Sequence, residues 1–422
     1  MKLLWLVNIV MPELAVHLGE KPSVFGGWLT GALEAIRAAG HTLTVCTVHG
    51  LGAEPVTLNG VRYLVLPEDD PDYLTVHFRN ILRQEQPDLV HVWGTEFLPS
   101  WSLARAADPD KLLVTIQGSL NAIWPRARAG LPAEICRDTL LHKLLRRLHK
   151  GGQAIDLQVK SFRSRAEFEL ETLRRAKYIH GGSAWGNAVA EAAHPGCVTM
   201  DASLILRSSF YDAPLWDMDR CDPHTIYALC TYPLKGFHKL LEAMPLVLEK
   251  YPDARIIAPG LGLVRRPYMG LRRRIMDAAP DYQWYLQGLM DRYALWDRVE
   301  FVGYLTEEQV QDRLRRAHVF VSPSAMENQS TALGEAMLLG VPAIASRVGA
   351  MAEMIDTGKD GLLYDFEDTQ ALADAILRIF EDRELARAFS EKGRLHAQRT
   401  YDREKNFRDL LNIYEKIGGG DK

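Results

Sequence analysis

At 422 residues, 47% hydrophobic and 25% charged, the chain has the length for two or three domains and the balance of a globular protein. A net charge of −4 makes no global electrostatic case for nucleic acid, and no apolar run is long enough to span a bilayer. Five scattered cysteines (Cys46, Cys136, Cys197, Cys221, Cys230), odd in number and without paired spacing, argue for a reducing compartment and against a structural zinc.

Met1 to Val10 sets Lys2 ahead of an apolar run but lacks a small-residue cleavage site. It therefore reads as a first strand rather than a signal peptide, and the protein as cytoplasmic. Leu3 to Val10, Thr42 to Val48, Arg62 to Leu66, Leu89 to Val92 and Leu112 to Ile116 are short β-branched or Leu-rich runs, with Tyr178 to His180 as a late addition. Helical stretches such as Trp28 to Ala39 separate several of them, an alternation that predicts a parallel sheet covered by helices. Tyr211 to Pro223, rich in Asp and Pro, reads as a linker. A second alternating series follows: Ile226 to Leu229, a helix at Lys239 to Lys250, then Arg255 to Ala258, Val299 to Phe301, Val319 to Val321 and Ala343 to Ala345. Thr369 to Asp382 and Arg403 to Lys416 are amphipathic, and Gly418 to Lys422 reads as a frayed tail.

The most informative stretch is Val319 to Ser346, whose only charged side chains are Glu327 and Glu335, with seven residues between them. Ser330 to Leu339 is apolar on nearly every side and predicts a buried helix stopped at Gly340. A carboxylate in such a helix needs a partner. A capping box is excluded for Glu335, because the residue three before it is Ala332; a buried ion pair with a distant Lys or Arg is one reading. The other is a nucleotide. Asn328, Gln329, Ser330 and Thr331 put backbone N–H groups at a helix start, where a diphosphate is favoured. About 7–8 Å further along the axis Glu335 can accept hydrogen bonds from a ribose diol, while Glu327 in the loop faces whatever lies beyond the phosphates.

Glu327 and Glu335 at this spacing, the phrase GEAMLLGVPAIAS, the following VGAMAEMI and the segment GLLYDFED resemble the donor half of glycosyltransferase family 4. The resemblance is strong over roughly Thr225 to Asp382 and weaker before it. It implies an α/β chain of GT-B fold: two Rossmann-like, doubly wound parallel-sheet domains facing across a cleft. The expected division is residues 1–212, a linker at 213–223, and a donor-binding domain at 224–399, with the helix in 400–417 packing back onto the first domain. It also implies retaining, metal-independent transfer of a sugar from a nucleoside diphosphate sugar, without a cofactor. Lys235, before Gly236, matches the family lysine that meets the diphosphate, but Cys230 stands where the family has arginine. Either fewer cations meet the phosphates or Arg265 and Arg266 substitute. Gln117-Gly118 occupies the place of a family His-Gly; its amide can bond a sugar hydroxyl but cannot shuttle protons. His91, in LVHVWGTE, is another strand-end candidate, with a core histidine as the competing identity. Gly26 and Gly27, within Phe25-Gly26-Gly27-Trp28, fall where the family has a glycine-rich loop at the cleft.

Three Asp-x-Asp triplets (Asp70-Pro71-Asp72, Asp108-Pro109-Asp110, Asp217-Met218-Asp219) imitate a metal signature, but they sit in irregular loops where Asp forms turns, so no metal is expected. Asn328-Gln329-Ser330 matches a glycosylation acceptor by accident. Leu140 to Lys150 sets Leu140, Leu141, Leu144, Leu145 and Leu148 on one face with Lys143, Arg146, Arg147 and Lys150 around them. This suits peripheral contact with anionic lipid on the inner face of the membrane, or a core-packed helix with a solvated face.

The reading is a hexosyltransferase acting on a saccharide or lipid-linked saccharide hydroxyl, as in polysaccharide synthesis of the bacterial type. Glu335, Lys235 and residues 328–331 bind the donor, Glu327 meets the transferred sugar, and Gly26, Gly27, Gln117 and His91 lie on the acceptor side. The alternatives are a GT-B nucleotide-sugar epimerase, which needs titratable groups that Gln117 does not supply, and a catalytically silent nucleotide-sugar sensor or subunit.

Overall fold

The computed structural model describes residues 1–21, 26–148, 154–260 and 270–419. It divides into two compact units: residues 1–121, 163–208 and 400–422, and residues 122–162 with 209–399. Residues 122–162, expected in the first domain, thus cluster with the second. The 213–223 stretch is not a free linker either, since the Trp216 indole N–H donates to the Ala317 carbonyl (2.7 Å) and its backbone N–H to that of Leu339 (2.8 Å).

The first unit is built on eight strands: β1 (Lys2–Leu6), β2 (Thr42–Val48), β3 (Ala53–Leu58), β4 (Val61–Leu66), β5 (Leu89–Trp93), β6 (Leu112–Thr115), β7 (Tyr178–His180) and β8 (Val198–Met200). Their order is β3-β4-β2-β1-β5-β6-β7-β8. All pairs are parallel except β3–β4, which corrects the all-parallel expectation. That hairpin turns at Asn59 and Gly60, both with positive φ (46° and 80°), the combination a tight two-residue turn requires. The interior strands β5 and β6 are buried at every position, as a sheet covered on both faces demands. The Arg403–Gly418 helix completes this unit, adding Leu410, Ile413, Tyr414 and Ile417 to the core around Trp5, Leu33 and Tyr63.

The second unit carries six parallel strands: β9 (Thr225–Tyr227), β10 (Arg255–Pro259), β11 (Val299–Gly303), β12 (Val319–Ser322), β13 (Ala343–Ser346) and β14 (Leu362–Tyr364). The order β11-β10-β9-β12-β13-β14 reverses direction between β9 and β12. In an open α/β sheet the loops leaving such neighbours diverge to opposite faces and leave a crevice at the carboxyl ends. Among the described residues no helix is long and apolar enough to cross a membrane.

Candidate nucleotide-sugar site

The crevice between β9 and β12 is built by two loops that touch. After β9 the chain makes a one-turn helix, Pro233–Lys235, and Gly236 (φ 66°) caps the long Phe237–Lys250 helix. A Cβ on Gly236 would lie 1.6 Å from the Pro323 carbonyl oxygen, so only glycine lets the loop after β12 approach this closely. The Ala325 N–H donates to the Leu234 carbonyl (2.7 Å) and fastens the two loops. A third loop joins from β13, where the Ala350 N–H donates to the Glu327 carbonyl (3.2 Å) and a Cβ on Gly349 would stand 1.8 Å from that oxygen.

This packing brings Lys235 and Glu327, 92 residues apart in sequence, into an ion pair. Their side chains are 21% and 13% exposed, and Ser324 Oγ donates a further bond of 3.1 Å to the same carboxylate oxygen. Burial pushes the Lys235 ammonium toward release of its proton, but the charges of Glu327 and Tyr232 and the hydrogen bond outweigh it, so its pKa stands above the usual lysine value. Lys235, Ser322, Pro323, Ser324, Glu327 and Ser330 line a narrow crevice with a cavity volume of about 10 Å³.

The buried helix runs Thr331–Leu338 and ends, as predicted, at Gly340 in the left-handed conformation (φ 80°). Ser330 caps it, its Oγ accepting from the Leu333 N–H (3.4 Å) and its carbonyl from the Gly334 N–H (3.0 Å). Asn328 is buried beside this start, and Glu335 is buried within the helix among Leu333, Ala336, Met337 and Leu338. Cys230 is buried, and desolvation pushes its thiol up to about 12, which leaves it inert. Arg265 and Arg266 lie outside the described residues.

The remaining candidates belong to the first unit. His91 corrects the expectation of an acceptor-side histidine: it is fully buried, with Nδ1 2.7 Å from Tyr414 Oη and Nε2 2.7 Å from Thr115 Oγ1. The chain continues from Thr115 Oγ1 to His180 Nδ1 (3.1 Å), while His180 Nε2 meets the Ala202 carbonyl (2.6 Å). A carbonyl only accepts, so His180 carries its proton on Nε2 and takes one at Nδ1 from Thr115. Thr115 in turn accepts from His91 Nε2–H, and His91 Nδ1 accepts from Tyr414. Burial holds both imidazoles below their usual pKa, hence neutral. Gly26 (φ 81°) caps the Gly27–Ala38 helix in a left-handed conformation that favours glycine; a Cβ there would meet the Ile9 side chain at 2.2 Å, and one on Gly27 the Arg207 side chain at 2.4 Å. Gln117 follows β6, its Oε1 accepting from Asn8 Nδ2 (3.0 Å).

Sequence reasoning missed Glu96 and Glu169. Glu169, fully buried, collects hydrogen bonds from Thr95, Ser119, the Leu120 amide, and the backbone and side-chain amides of Asn121. Glu96 follows β5 by three residues, and burial pushes its carboxyl up to about 8. The Gly-Thr-Glu directly after a buried strand was the available signal. The Asp triplets are turn formers, as expected: Asp70 caps the Pro71–Glu85 helix, and Asp108 and Asp217 each accept from the N–H two residues on.

Residues 225–396 match the family described as glycosyl transferases group 1. A D-inositol 3-phosphate glycosyltransferase of Corynebacterium urealyticum is 30% identical over 44% of this chain, and the match spans only 41% of that relative. Spore coat protein SA of Bacillus subtilis is 24% identical over 96% of this chain and 99% of its own length. Among solved structures, Anabaena HepE in complex with UDP-glucose superimposes with a TM-score of 0.65 at 16% identity, covering 99% of this chain and 100% of that one. The chain carries the GT-B glycosyltransferase fold of these neighbours, and its residues 225–396 are the part that matches the glycosyl transferases group 1 family.

Proposed function

We propose that the protein transfers a sugar from a nucleoside diphosphate sugar to a hydroxyl of a saccharide or lipid-linked saccharide, with retention at the anomeric carbon and without a metal. The observation that carries this reading is the Lys235–Glu327 pair at the switch point of the second sheet, beside the Ser330-capped helix start. Lys235 and the amides of residues 328–331 would neutralise the diphosphate, Glu335 would accept from the ribose hydroxyls, and Glu327 would accept from hydroxyls of the transferred sugar. The bond from the anomeric carbon to the diphosphate oxygen breaks as a new carbon–oxygen bond forms, and the departing phosphate takes the acceptor proton. Charge organised in advance around the leaving diphosphate is then the main contribution to rate. That HepE was solved with UDP-glucose makes a UDP-sugar the first donor to try. Incubation with UDP-, GDP- and ADP-sugars tests the proposal: acceptor-dependent nucleotide release supports it. Interconversion of the sugars, or binding without turnover, replaces it with an epimerase or a sensor. Glu335→Ala and Lys235→Ala should each weaken nucleotide-sugar binding about tenfold or more with the fold intact; unchanged affinity in both removes the assignment.

A cytoplasmic, membrane-peripheral placement is part of this proposal. In the Leu140–Arg147 helix and the residue after it, Leu140, Leu144 and Leu148 are 84%, 50% and 54% exposed, a row at intervals of four, with Lys143 and Arg147 exposed beside it. Leu141 and Leu145 turn partly inward, so the expected single leucine face is divided; Arg146 pairs with Asp138 (2.9 Å), and Lys150 lies outside the described residues. An apolar row flanked by cations suits an anionic lipid surface. Cosedimentation with phosphatidylglycerol but not phosphatidylcholine vesicles, lost in Leu144→Glu, is the expected result.

A further inference from the structure

A groove opens in the first unit at the amino-terminal edge of β5 and β6. The carboxyl half of the Pro71–Glu85 helix, the end of the Leu98–Ala106 helix and the Pro109–Lys111 turn enclose about 720 Å³. Small-molecule sites typically occupy about 300–1,000 Å³. The floor is apolar, made by Leu82, Pro87, Val90 and Ala106, and the rim carries the exposed cations Arg79, Arg83 and Lys111. β5 is five residues long, so about 15 Å of strand separates this edge from the loops at the carboxyl ends.

None of the three cations has an ion pair or a side-chain hydrogen bond among the described residues. The carboxylates on the same elements are engaged by other cations: Asp72 by Arg105 (2.5 Å), Glu85 by Arg62 (3.2 Å) and Asp110 by Lys177 (2.6 Å). Asp108, which lines the groove, turns one oxygen to the Asp110 N–H (3.1 Å). Arg79 and Arg83 stand one helical turn apart on one face, where like charges repel. The chain as a whole has a net charge of −4, yet here positive charge gathers without a counter-charge. A solvated face accounts for cations spread along a helix, but not for cations from two elements converging over an apolar floor.

The geometry points to a binding site for a soluble phosphate monoester with an apolar body. The Arg79 and Arg83 guanidinium groups and the Lys111 ammonium hold the phosphate, and Leu82, Pro87, Val90 and Ala106 take the carbon portion. Guanidinium forks match pairs of phosphate oxygens, and a phosphate dianion offsets the surplus positive charge of the rim. The concave floor admits a discrete molecule, whereas a flat bilayer face would reach the rim alone. The groove belongs to the first unit and the Lys235–Glu327 crevice to the second, so this site does not rest on the sugar-transfer reading.

The test titrates phenyl phosphate, inorganic phosphate and phenol into the full chain by calorimetry at low salt, with UDP in excess to fill the nucleotide crevice. Phenyl phosphate should bind wild-type protein at least about fivefold more tightly than inorganic phosphate, and phenol should not bind. Arg79→Gln/Arg83→Gln should weaken phenyl phosphate about tenfold or more, and Lys111→Gln about threefold. Ala106→Glu, which sets a carboxylate on the floor, should abolish binding. Arg174→Gln/Arg175→Gln, which removes exposed cations elsewhere on the same unit, should change nothing. UDP affinity should be the same in all these proteins. The inference is overturned if phenyl phosphate does not bind, if it binds Arg79→Gln/Arg83→Gln as well as wild type, or if inorganic phosphate binds equally tightly. Loss of phosphatidylglycerol vesicle binding in Arg79→Gln/Arg83→Gln, with no phenyl phosphate bound by wild type, replaces it with a lipid surface. Absent UDP binding in wild-type protein counts against the sugar-transfer reading alone, because the Arg79 and Arg83 variants still locate the ester.

Discussion

Replacing Glu327 by Gln should tighten binding of a bare nucleoside diphosphate while abolishing use of its sugar. Lys235 is engaged by Glu327, and both side chains are largely withdrawn from water. A diphosphate arriving at Lys235 therefore meets a carboxylate that competes for the ammonium and repels the phosphates. With an effective dielectric of about 20, two unit charges about 6 Å apart repel by about 3 kcal/mol. Releasing Lys235 from its bond contributes on the order of 1.5–3 kcal/mol more, against which the variant loses the attraction that ordered the lysine. A net gain of at least about 1.4 kcal/mol, or tenfold in Kd for UDP, is the expected outcome by isothermal titration at low salt. The Glu327→Gln protein should unfold at lower temperature without nucleotide, since it leaves a half-buried cation unpaired, and recover with UDP. The double variant Lys235→Ala/Glu327→Gln should lose the gain. A natively folded Glu327→Gln protein that binds UDP no better than wild type would refute the claim that the pair guards the phosphate position.

Tyr414→Phe removes the only donor that meets His91 Nδ1 in the described chain of bonds and should cost about 1–3 kcal/mol by denaturant unfolding. Both His91 and His180 have pKa values lowered by burial, so the unfolded chain binds more protons in acid. Their contribution is complete above the unfolded histidine value near about 6.5 and is lost as pH falls through the lowered folded values. Thermal melts from pH 7.5 to pH 5 should show first-unit stability dropping on the acid side. Gly236→Ala, which forces a carbon into the Pro323 carbonyl in a left-handed position, should destabilise the second unit by several kcal/mol or abolish UDP binding; native-like melting together with native UDP affinity would contradict the packing described.

The sheets are largely legible because β5, β6, β12 and β13 are buried at every residue, and a strand covered on both faces leaves an unbroken apolar run between helices. β3 is hidden, because Pro55 and the lack of any buried residue disguise an edge strand, although Asn59-Gly60 announces the hairpin. β8 and β14 are three residues long, too short for periodicity to register. At the site, Glu327, Ser330 and Glu335 are visible as polar residues set in apolar sequence. The Lys235–Glu327 pair is not, because it depends on Gly236 and Pro323 meeting across two loops. Glu96 is inconspicuous since a carboxylate two residues after a glycine reads as solvated; the helix that faces it, Ile155–Arg175, lies far along the chain. His91 has the look of a strand-end reagent, and only the docking of Tyr414 reveals it as interior.

The Arg403–Gly418 helix also bears on biosynthesis. Its apolar residues close the core of the sheet whose first strand is Lys2–Leu6, and Tyr414 satisfies a histidine in the middle of that sheet. On the ribosome the amino-terminal half emerges long before this lid is made. Nascent chains should therefore carry an uncovered greasy stripe until this helix emerges, which makes this half a natural client for a holdase.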